Sequence, residues 1–595
     1  MAITSEKSPR RRTTMALAVL LAVIAGFVFR LVDIQVVNAD AHIEESHNLG
    51  QLGESREIAG ARGSIVDTDG EVLAQGTVVY DAQLDPLTIF ELEDDELRPP
   101  PMPWEEASAA IASVTGQKPE DVRRVVDDAR EENPSSQYAE LKKGLSTEQF
   151  LQLRELGLPY LALIPRSIRV YPNGAVAGNI LGFLSSDGDA LAGLEMKENE
   201  CLAPENGRES FLRGQDGVVI PGSHQVKEAV DGGTLTLTID LELQWYMQQM
   251  IAEEVATQNA LSGTVFVVEV DSGKVRAAAE FPAVDPNDPG ASDAGDRGSR
   301  LFTTTFEPGS TFKAITAAAI MEKGGATALS TVTAASHEMF PNGAEVNDAF
   351  PHPEYEYTLA GALIDSSNVA LSKFGDMVSP QVRYDYLVKF GVGEETSLQF
   401  PGEEPGVIHP VDDWDSQSRY TTTFGQYYTV TVPQAVSAYQ AIANDGVKLP
   451  LTLVESCTTA AGDEIVPESA DPERVIKKKT AQELSRMIEN VATQGGLADD
   501  IAIPGYRVAA KTGTAEKPDL VNGGYKGGVY FTSMLGYAPV DNPQYVVMVT
   551  LDEPTRVTSS AATAPAFHKA MTQVLKSFRV MPSSIPMEEP LPKYR

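Results

Sequence analysis

The chain has 595 residues, and 47 lysines and arginines against 84 aspartates and glutamates give a formal net charge of −37. A protein this acidic is not a general nucleic-acid binder, because phosphate affinity requires clustered basic side chains. Two cysteines, Cys201 and Cys457, exclude a disulfide framework and a cysteine-rich metal site. Hydrophobic residues make up 42% of the chain, which is enough to build packed cores.

The first segment indicates a membrane anchor. Lys7 and Arg10–Arg12 precede the apolar run Met15–Phe29, and a helix over 15–37 reaches the roughly 20 residues needed to span a bilayer. The positive-inside rule then makes 1–14 a cytoplasmic stub and places the rest of the chain outside. The alternative is a cleaved signal peptide, since Ala39-Asp40-Ala41 resembles a cleavage site.

An extracytoplasmic location permits a disulfide chemically. Cys201 and Cys457 are nevertheless far apart in sequence, so we expect two free, buried thiols.

Residues 38–233 predict a mixed, non-catalytic module of the kind that acts as a pedestal or in dimerisation. Short strands are predicted at Ser64–Val66 and Val78–Leu84, and helices at Glu105–Val114, Pro119–Arg130 and Thr147–Leu156. The acidic run between them indicates a solvated surface rather than a ligand site.

Residues 234–580 predict one compact α+β domain. Strands are predicted at Thr234–Ile239, Val265–Val270, Lys274–Ala279, Arg507–Thr514, Val529–Tyr537 and Gln544–Leu551, and a helix at Leu241–Thr257. The patterns between about 305 and 500 are mostly helical. Strands at both ends with helices between them predict an antiparallel sheet flanked by helices. The proline-rich tail, 581–595, is expected to be loose.

The sharpest local feature is Ser310-Thr311-Phe312-Lys313, which follows Pro308-Gly309 and opens an apolar helix, Ala314–Met321. Ser310 would lie at a helix N-terminus, where free N–H groups favour developing negative charge. Lys313 is one helical turn away and within reach of the serine hydroxyl. A lysine acts as a base only when neutral, so burial or a second cation must lower its pKa.

A second basic motif, Lys511-Thr512-Gly513-Thr514, ends a predicted strand and supplies that second cation. Glycine there lets an extended substrate lie against the strand, while the threonine hydroxyls and the lysine charge can hold a carboxylate. Ser366-Ser367-Asn368 is a third element. Alone it would be read as helix-capping residues, and its weight comes from its order and spacing relative to the other two motifs.

The order Ser310-x-x-Lys313, Ser366-x-Asn368, Lys511-Thr512-Gly513 resembles the penicillin-binding protein and serine β-lactamase superfamily. The wider chain resembles class B penicillin-binding proteins, most closely the septal FtsI type. The accessory segments that carry this likeness are Arg62–Asp67, Arg169–Pro172, Gly193–Glu195, Thr236–Gln244, Gly425-Gln426, Thr431–Gln434 and Gly536–Pro539. We expect these segments to hold the protein together rather than to perform chemistry.

The resemblance implies a penicillin-binding, peptidoglycan-cross-linking D,D-transpeptidase that requires no metal or organic cofactor. Ser310 would be the nucleophile, Lys313 the base, and Ser366 the proton relay, with Asn368 holding the substrate peptide and Lys313. Lys511 would help to keep Lys313 neutral, and Thr512, Gly513 and Thr514 would bind the terminal carboxylate. The backbone N–H groups of Ser310 and Thr514 would form the oxyanion hole.

The implied partners are D-Ala-D-Ala stem peptides, an acceptor amine, β-lactams as covalent inhibitors, membrane lipid and division proteins. Residues 38–233 lack a glycosyltransferase signature, so a separate membrane glycan polymerase of the FtsW or RodA kind would supply the strands. The alternatives are an elongation-type class B transpeptidase, a carboxypeptidase or β-lactamase, and a non-catalytic β-lactam sensor or scaffold. A sensor would need cytoplasmic signalling machinery, for which the predicted stub leaves little room.

Overall fold

The structure is a computed structural model that describes residues 9–32, 53–94, 100–212, 223–519 and 521–595. Its helices are α1 (Pro9–Val32), α2 (Pro86–Asp94), α3 (Trp104–Thr115), α4 (Pro119–Glu132), α5 (Thr147–Glu155), α6 (Gly178–Leu181), α7 (Gly193–Lys197), α8 (Asn199–Leu202), α9 (Leu241–Gln258), α10 (Arg300–Thr303), α11 (Lys313–Ala319), α12 (Leu359–Ile364), α13 (Asn368–Gly375), α14 (Pro380–Lys389), α15 (Ser418–Thr421), α16 (Val432–Ala443), α17 (Lys478–Gln494), α18 (Ala498–Ile501) and α19 (Ala564–Ser577).

Its strands are β1 (Gly53–Ile58), β2 (Ile65–Val66), β3 (Val72–Leu84), β4 (Ala139–Leu145), β5 (Leu161–Val170), β6 (Gly207–Leu212), β7 (Gln225–Lys227), β8 (Thr234–Leu237), β9 (Ser262–Glu269), β10 (Val275–Phe281), β11 (Thr331–Ala334), β12 (His337–Met339), β13 (Glu345–Asn347), β14 (Tyr355–Thr358), β15 (Val447–Lys448), β16 (Val454–Thr458), β17 (Glu464–Ile465), β18 (Glu473–Arg474), β19 (Ala509–Pro518), β20 (Tyr525–Ala538) and β21 (Tyr545–Asp552).

The chain divides into two compact units. The first comprises Met1–Gly60 and Glu205–Val230, and its strands β1, β6 and β7 form an antiparallel sheet. No helix in the described ranges is both long enough and apolar enough to cross a bilayer, so the predicted anchor over 15–37 is unsupported. Residues 33–37 of that prediction, and the alternative cleavage site at 39–41, lie outside the described residues.

The second unit comprises Ala61–Pro204 and Asp231–Arg595. Its central feature is an antiparallel sheet in the order β10-β9-β21-β20-β19. Alternate residues of β9 enter different cores: Val265 and Val267 pack with helices α9 and α19, whereas Phe266 and Val268 join the core that contains α11, α12 and α16. Both faces of the sheet are therefore covered by helices, and the predicted α+β fold is confirmed.

Residues 61–204 form a second layered structure within this unit. Strand β3 pairs with β4 and β5, and their apolar side chains pack with helices α3, α4 and α5 in a separate core. The carboxylate of Glu195 is completely buried and forms 2.7 Å ion pairs with Arg62 and Arg169. Three of the accessory segments identified in the sequence thus meet in one buried ion network. This arrangement agrees with the structural role that we expected for them.

The two cysteines form a disulfide, so the prediction of free thiols is wrong. Cys457 lies on β16, directly opposite Leu235 of the neighbouring strand β8. The backbone of Gly233, just before β8, donates a hydrogen bond to the carbonyl of Cys201. Sheet pairing therefore brings together two residues that lie 256 positions apart.

Residues 581–595, predicted to be loose, instead pack against the second unit. The side chain of Leu591 is only 4% exposed, and its N–H donates to Asn490 Oδ1 at 2.8 Å. Its carbonyl accepts a hydrogen bond from Gln494 on the same helix, α17. The last residues of the segment are therefore anchored to α17 through Leu591.

Candidate active site

The serine of the first motif lies at the entry to helix α11. A 3-10 turn, Gly309–Phe312, precedes the helix, so Ser310 sits one turn ahead of Lys313, as predicted. Gly309 has a φ of +54°, and its N–H donates to the carbonyl of Gly425 at 2.9 Å. A Cβ on Gly425 would lie 2.0 Å from Gly309 O, so glycine is required for this loop to support the serine turn.

Ser366 lies between helices α12 and α13 with a φ of +55°, a conformation that is strained for a residue other than glycine. Its Oγ accepts hydrogen bonds from Lys313 Nζ at 3.2 Å and from Lys511 Nζ at 3.0 Å. Lys313 Nζ also donates to the Ser366 carbonyl. The structure therefore joins one residue from each of the three predicted motifs in a single hydrogen-bonded cluster.

Both lysines in this cluster are buried, with side chains exposed by no more than 1%. Burial and the nearby Lys511 charge hold the pKa of Lys313 well below its usual value, while Asp348 opposes the shift. Burial lowers the pKa of Lys511 to about 7. The two causes that the sequence analysis required for a neutral lysine, burial and a second cation, both act on Lys313, and burial is the larger.

The two amines share the Ser366 hydroxyl as a hydrogen-bond partner. Lys313 also donates to the Ser366 carbonyl, and Lys511 also donates to the carbonyl and hydroxyl of Thr512. The lowered pKa of Lys313 favours its neutral amine, whose lone pair can accept a proton. The Ser310 hydroxyl has no hydrogen-bond partner among the described residues, and it is half-buried.

The Lys-Thr-Gly motif lies on β19, the edge strand of the five-stranded sheet. A Cβ on Gly513 would lie 2.4 Å from Ser533 Oγ and 3.0 Å from Thr311 Cγ2, so the strand can pack against the serine turn only with glycine at this position. Thr512 is half-buried, and Thr514 is exposed and accepts a hydrogen bond from the Ser560 N–H. A Cβ built on Gly309 would lie 3.6 Å from Thr514 O, which places the serine turn beside this strand.

Asn368 begins helix α13, and its position differs from the expected one. Its side-chain amide donates to the carbonyl of Asn347 at 2.8 Å, whereas the Lys313 amine contacts Ser366. Its backbone N–H donates to Asp348 Oδ1. The structure thus brings Asn368 to the edge of the cluster, with its described side-chain hydrogen bond directed towards β13.

Asp348 is a site residue that the sequence analysis missed. One carboxylate oxygen accepts the N–H groups of Asn368 and Val369, and the other accepts the Ser367 hydroxyl at 2.7 Å and His352 Nε2 at 2.9 Å. The Ser366 turn is therefore held by a buried carboxylate. Asp348 lies 18 residues before Ser366 in a loop without periodicity, so no local pattern signalled it.

His352 bonds to oxygen atoms through both ring nitrogens, since Nδ1 faces the carbonyl of Pro353 at 2.7 Å. Burial opposes protonation, but the hydrogen bonds to Asp348 and Pro353 raise the pKa of His352 above its usual value. The geometry therefore favours a protonated imidazole paired with Asp348.

Glu307, which immediately precedes Pro308 in the sequence, supports the serine turn from the other side. Its carboxylate accepts the Tyr427 N–H at 2.8 Å and the Tyr525 hydroxyl at 3.0 Å. The side chain is 8% exposed, and burial raises its pKa from 4.5 to about 7. The sequence signal that could have identified Glu307 is its charge, which lies between Phe306 and Pro308 in an otherwise apolar stretch.

Two family models match the chain. Residues 263–572 match the penicillin binding protein transpeptidase domain, and residues 57–237 match the penicillin-binding protein dimerisation domain.

Among similar proteins, penicillin-binding protein PbpB of Mycolicibacterium smegmatis is 32% identical over 96% of this chain and 90% of that protein. Peptidoglycan D,D-transpeptidase FtsI of Escherichia coli is 27% identical over 95% of this chain and 92% of that protein. The crystal structure of penicillin-binding protein 3 of Mycobacterium tuberculosis complexed with aztreonam superimposes with a TM-score of 0.68 and 26% identity. This superposition covers 91% of this chain and 100% of that one.

Proposed function

The chain belongs to the class B penicillin-binding protein family, and on that premise we propose that it is a serine D,D-transpeptidase that cross-links peptidoglycan. Its substrate would be a stem peptide ending in D-Ala-D-Ala, and β-lactams would acylate the same serine. The geometry around Ser310, Ser366 and the two buried lysines supports the roles that we propose for the site residues.

The reaction begins with attack of Ser310 Oγ on the carbonyl carbon between the two D-alanines. The free lone pair of Lys313 takes the serine proton as the new C–O bond forms. The C–N bond then breaks, and the departing D-alanine nitrogen receives a proton through Ser366. An amine from a second strand attacks the acyl ester, a new C–N bond forms as the C–O bond to Ser310 Oγ breaks, and the proton that the amine loses is transferred to Ser310 Oγ.

The observation that carries this proposal is the Ser366 hydroxyl between two lysine amines. Its oxygen lies 3.2 Å from Lys313 Nζ and 3.0 Å from Lys511 Nζ, within hydrogen-bond distance of both. A hydroxyl held in this way can deliver a proton to the leaving nitrogen and accept a replacement from Lys313. The same arrangement keeps the Lys511 charge close enough to disfavour protonation of Lys313.

Substrate binding is assigned to the edge strand β19. An extended peptide can add to an edge strand through main-chain hydrogen bonds. Gly513 lets this strand pack closely against the serine turn, because a Cβ there would meet Ser533 and Thr311. Thr512, Thr514 and the Lys511 charge would bind the terminal carboxylate, and Asn368 would contact the peptide. The N–H groups of Ser310 and Thr514 would stabilise the tetrahedral oxyanion.

A septal role is the finer part of the proposal. It is supported by the resemblance to the FtsI type, and the E. coli relative carries that name. A separate glycan polymerase and division proteins would then be its partners. Depletion in the native bacterium should produce filaments, whereas rounded or shortened cells would indicate an elongation role instead.

Membrane attachment by a single pass, with the N-terminus cytoplasmic, is likewise proposed on the sequence. Its support is the apolar run Met15–Phe29 after three consecutive arginines, a pattern typical of an anchor. Because peptidoglycan lies outside the membrane, the catalytic unit would face the cell exterior. Carbonate washing of membranes should leave the full chain in the pellet, and its release into the supernatant would contradict an anchor.

Turnover tests the proposed activity directly. The full-length protein is supplied with uncross-linked glycan strands that carry pentapeptide stems, and both D-alanine release and cross-linked dimers are measured. We expect both products from wild type and neither from Ser310→Ala, with Ser113→Ala, an exposed serine on α3, as the matched control. Release of D-alanine without dimers would indicate a hydrolase, and the absence of both from wild type would favour a sensor or scaffold.

A further inference from the structure

Residues 591–595 lie against helix α12, the helix that leads into Ser366. The Thr358 N–H donates to the carbonyl of Lys593 at 3.0 Å, and the Thr358 hydroxyl donates to the carbonyl of Pro592 at 2.7 Å. A Cβ on Gly361 would lie 1.9 Å from Lys593 O, so glycine is needed for the segment to lie this close to the helix. The start of α12 therefore binds this segment through Thr358, and Gly361 provides the space for it.

The same segment also holds the far end of α12. Lys593 Nζ forms a 2.7 Å ion pair with Asp365 Oδ1, and the Tyr594 hydroxyl donates to Asp365 Oδ2. Asp365 is the C-cap of α12 and immediately precedes Ser366. Three consecutive residues thus bind both ends of a six-residue helix whose next residue belongs to the catalytic cluster.

The segment is itself firmly placed. The Tyr594 ring stacks on Tyr355 with centroids 4.4 Å apart, and the Arg595 N–H donates to the carbonyl of Glu356 at 3.0 Å. Buried Leu591 joins it to helix α17 through Asn490 and Gln494. The segment is therefore anchored to β14 and α17 as well as to α12, so it can support α12 from a fixed position.

Ser366 has a strained backbone that its surroundings must maintain. Asp348 holds the side of the turn that follows Ser366, through Ser367 and Asn368. Asp365 is the anchor on the side that precedes it, and Lys593 and Tyr594 hold its carboxylate. Because the Ser366 carbonyl and hydroxyl receive the lysine hydrogen bonds, a small rotation of this turn would misalign the proton relay.

We propose that Pro592, Lys593 and Tyr594 are positioning residues for Ser366 and that they control the acylation step without touching substrate. This inference rests on the proposed function. It predicts that loss of the contacts to Asp365 slows covalent chemistry more than it weakens initial binding of a β-lactam.

The test uses the full chain carrying Lys593→Met and Tyr594→Phe together, which removes both contacts to Asp365 and retains the apolar stem and the stacked ring. The control is Tyr506→Phe, which removes a comparable tyrosine hydrogen bond, to the carbonyl of Val580. Stopped-flow measurement with a fluorescent penicillin separates the acylation rate constant from the half-saturating concentration, and thermal melting reports folding.

We expect the acylation rate constant of the double variant to fall roughly tenfold. The half-saturating concentration should change little, and the melting temperature should match that of the Tyr506→Phe control. Lys593→Arg, which retains the ion pair, should acylate at nearly the wild-type rate.

The positioning role would be overturned if the double variant were acylated at the wild-type rate. It would also be overturned if the acylation rate constant of the Tyr506→Phe control fell by the same factor. If wild type itself takes no label at Ser310, the proposed function fails first. If wild type is labelled at Ser310 and the double variant has an unchanged acylation rate constant, only the positioning role is contradicted.

Discussion

Two lysine amines meet at the Ser366 hydroxyl, and in the proposed mechanism their protonation states determine whether Ser310 is activated. As the proposed base, Lys313 must be neutral to accept a proton. The proposed role of Lys511 requires a cation that disfavours protonation of Lys313 and binds a carboxylate. Burial lowers the pKa of both amines, and the Lys511 charge adds to the shift only at Lys313. Two chemically identical side chains therefore acquire different roles from their surroundings.

Lys511→Ala tests this division of roles. Without the second cation the pKa of Lys313 rises, so the base becomes protonated over a wider range and the acid limb of the pH–rate profile moves to higher pH. Penicillin acylation at neutral pH should fall by roughly 10²-fold and recover partly at alkaline pH. An unchanged acylation rate and pH profile would remove Lys511 from the mechanism.

A second prediction concerns the space around Gly513. A methyl group there would meet Ser533 Oγ at 2.4 Å, and both Ser533 and Thr311 are buried and cannot move freely. Gly513→Ala should lower the free energy of unfolding by about 1–3 kcal/mol and slow acylation by displacing β19 from the serine turn. Gly527→Ala on β20, where nothing lies within 4 Å, is the control and should change neither measurement.

The residues that meet at Ser366 could be predicted from the sequence, whereas the residues that surround them could not. Lys313, Ser366 and Lys511 were identified because each belongs to a short motif. Asp348 and Lys593 contact residues next to Ser366 from outside those motifs, and their residue types are common on any surface. Their importance depends on burial and on a partner, neither of which a local pattern encodes.

Glu307 links three elements around the serine turn: the turn itself, the loop after Gly425 and the start of β20. Tyr525, at the far end of the β19–β20 hairpin, donates to its carboxylate. Glu516 is the other titratable group that raises the pKa of Glu307, and Glu307 in turn raises the pKa of Tyr428. This hydrogen bond therefore connects the hairpin to Glu307, which lies three residues before Ser310 in the sequence.

Glu307→Gln tests how this carboxyl contributes to stability. Its pKa is about 7 in the fold against an ordinary value of 4.5, so the folded protein holds the proton more tightly than the unfolded chain does. The Glu307 carboxyl therefore makes its full contribution to the free energy of unfolding below pH 4.5, and this contribution is lost as the pH rises through about 7. The melting temperature of Glu307→Gln should vary less with pH across this window, and an unchanged slope would contradict the assignment.

Secondary-structure elements were predicted well where one periodicity dominates. Helix α9 and the β9–β10 hairpin, with its Asp271-Ser272-Gly273 turn, differ from prediction by only a few residues. Strand β19 was predicted to end at Thr514 but continues to Pro518, because pairing with β20 maintains an extended backbone beyond the alternating pattern. The helix after Ser310 begins as a 3-10 turn and ends in a π-helical turn, which apolar spacing alone does not reveal.

Long-range pairing decides the features of the whole molecule that the sequence analysis missed. The disulfide depends on β8 and β16 being neighbours in one sheet, and the packed tail depends on α12 and α17 together presenting a surface. Neither condition is visible within a window of local sequence. The strong acidity, by contrast, is a whole-chain property that bears on solubility and leaves the fold undetermined.

Removal of the disulfide should destabilise the second unit. It closes a loop of 256 residues, and its loss increases the entropy of the unfolded chain. Cys201→Ser with Cys457→Ser should lower the free energy of unfolding by about 2–5 kcal/mol, measured by denaturant titration of the oxidised protein. Dithiothreitol should lower the stability of wild type but not that of the double variant, and equal stability of the two oxidised proteins would contradict this role.

Covalent labelling provides the most direct test of Ser310 as the proposed nucleophile. The full-length protein is incubated with a fluorescent penicillin, digested, and the adduct is located by mass spectrometry. We expect a single acyl adduct on the peptide containing Ser310 in wild type, and no covalent label in Ser310→Ala. Retention of label by Ser310→Ala, or an adduct on any other residue, would contradict it.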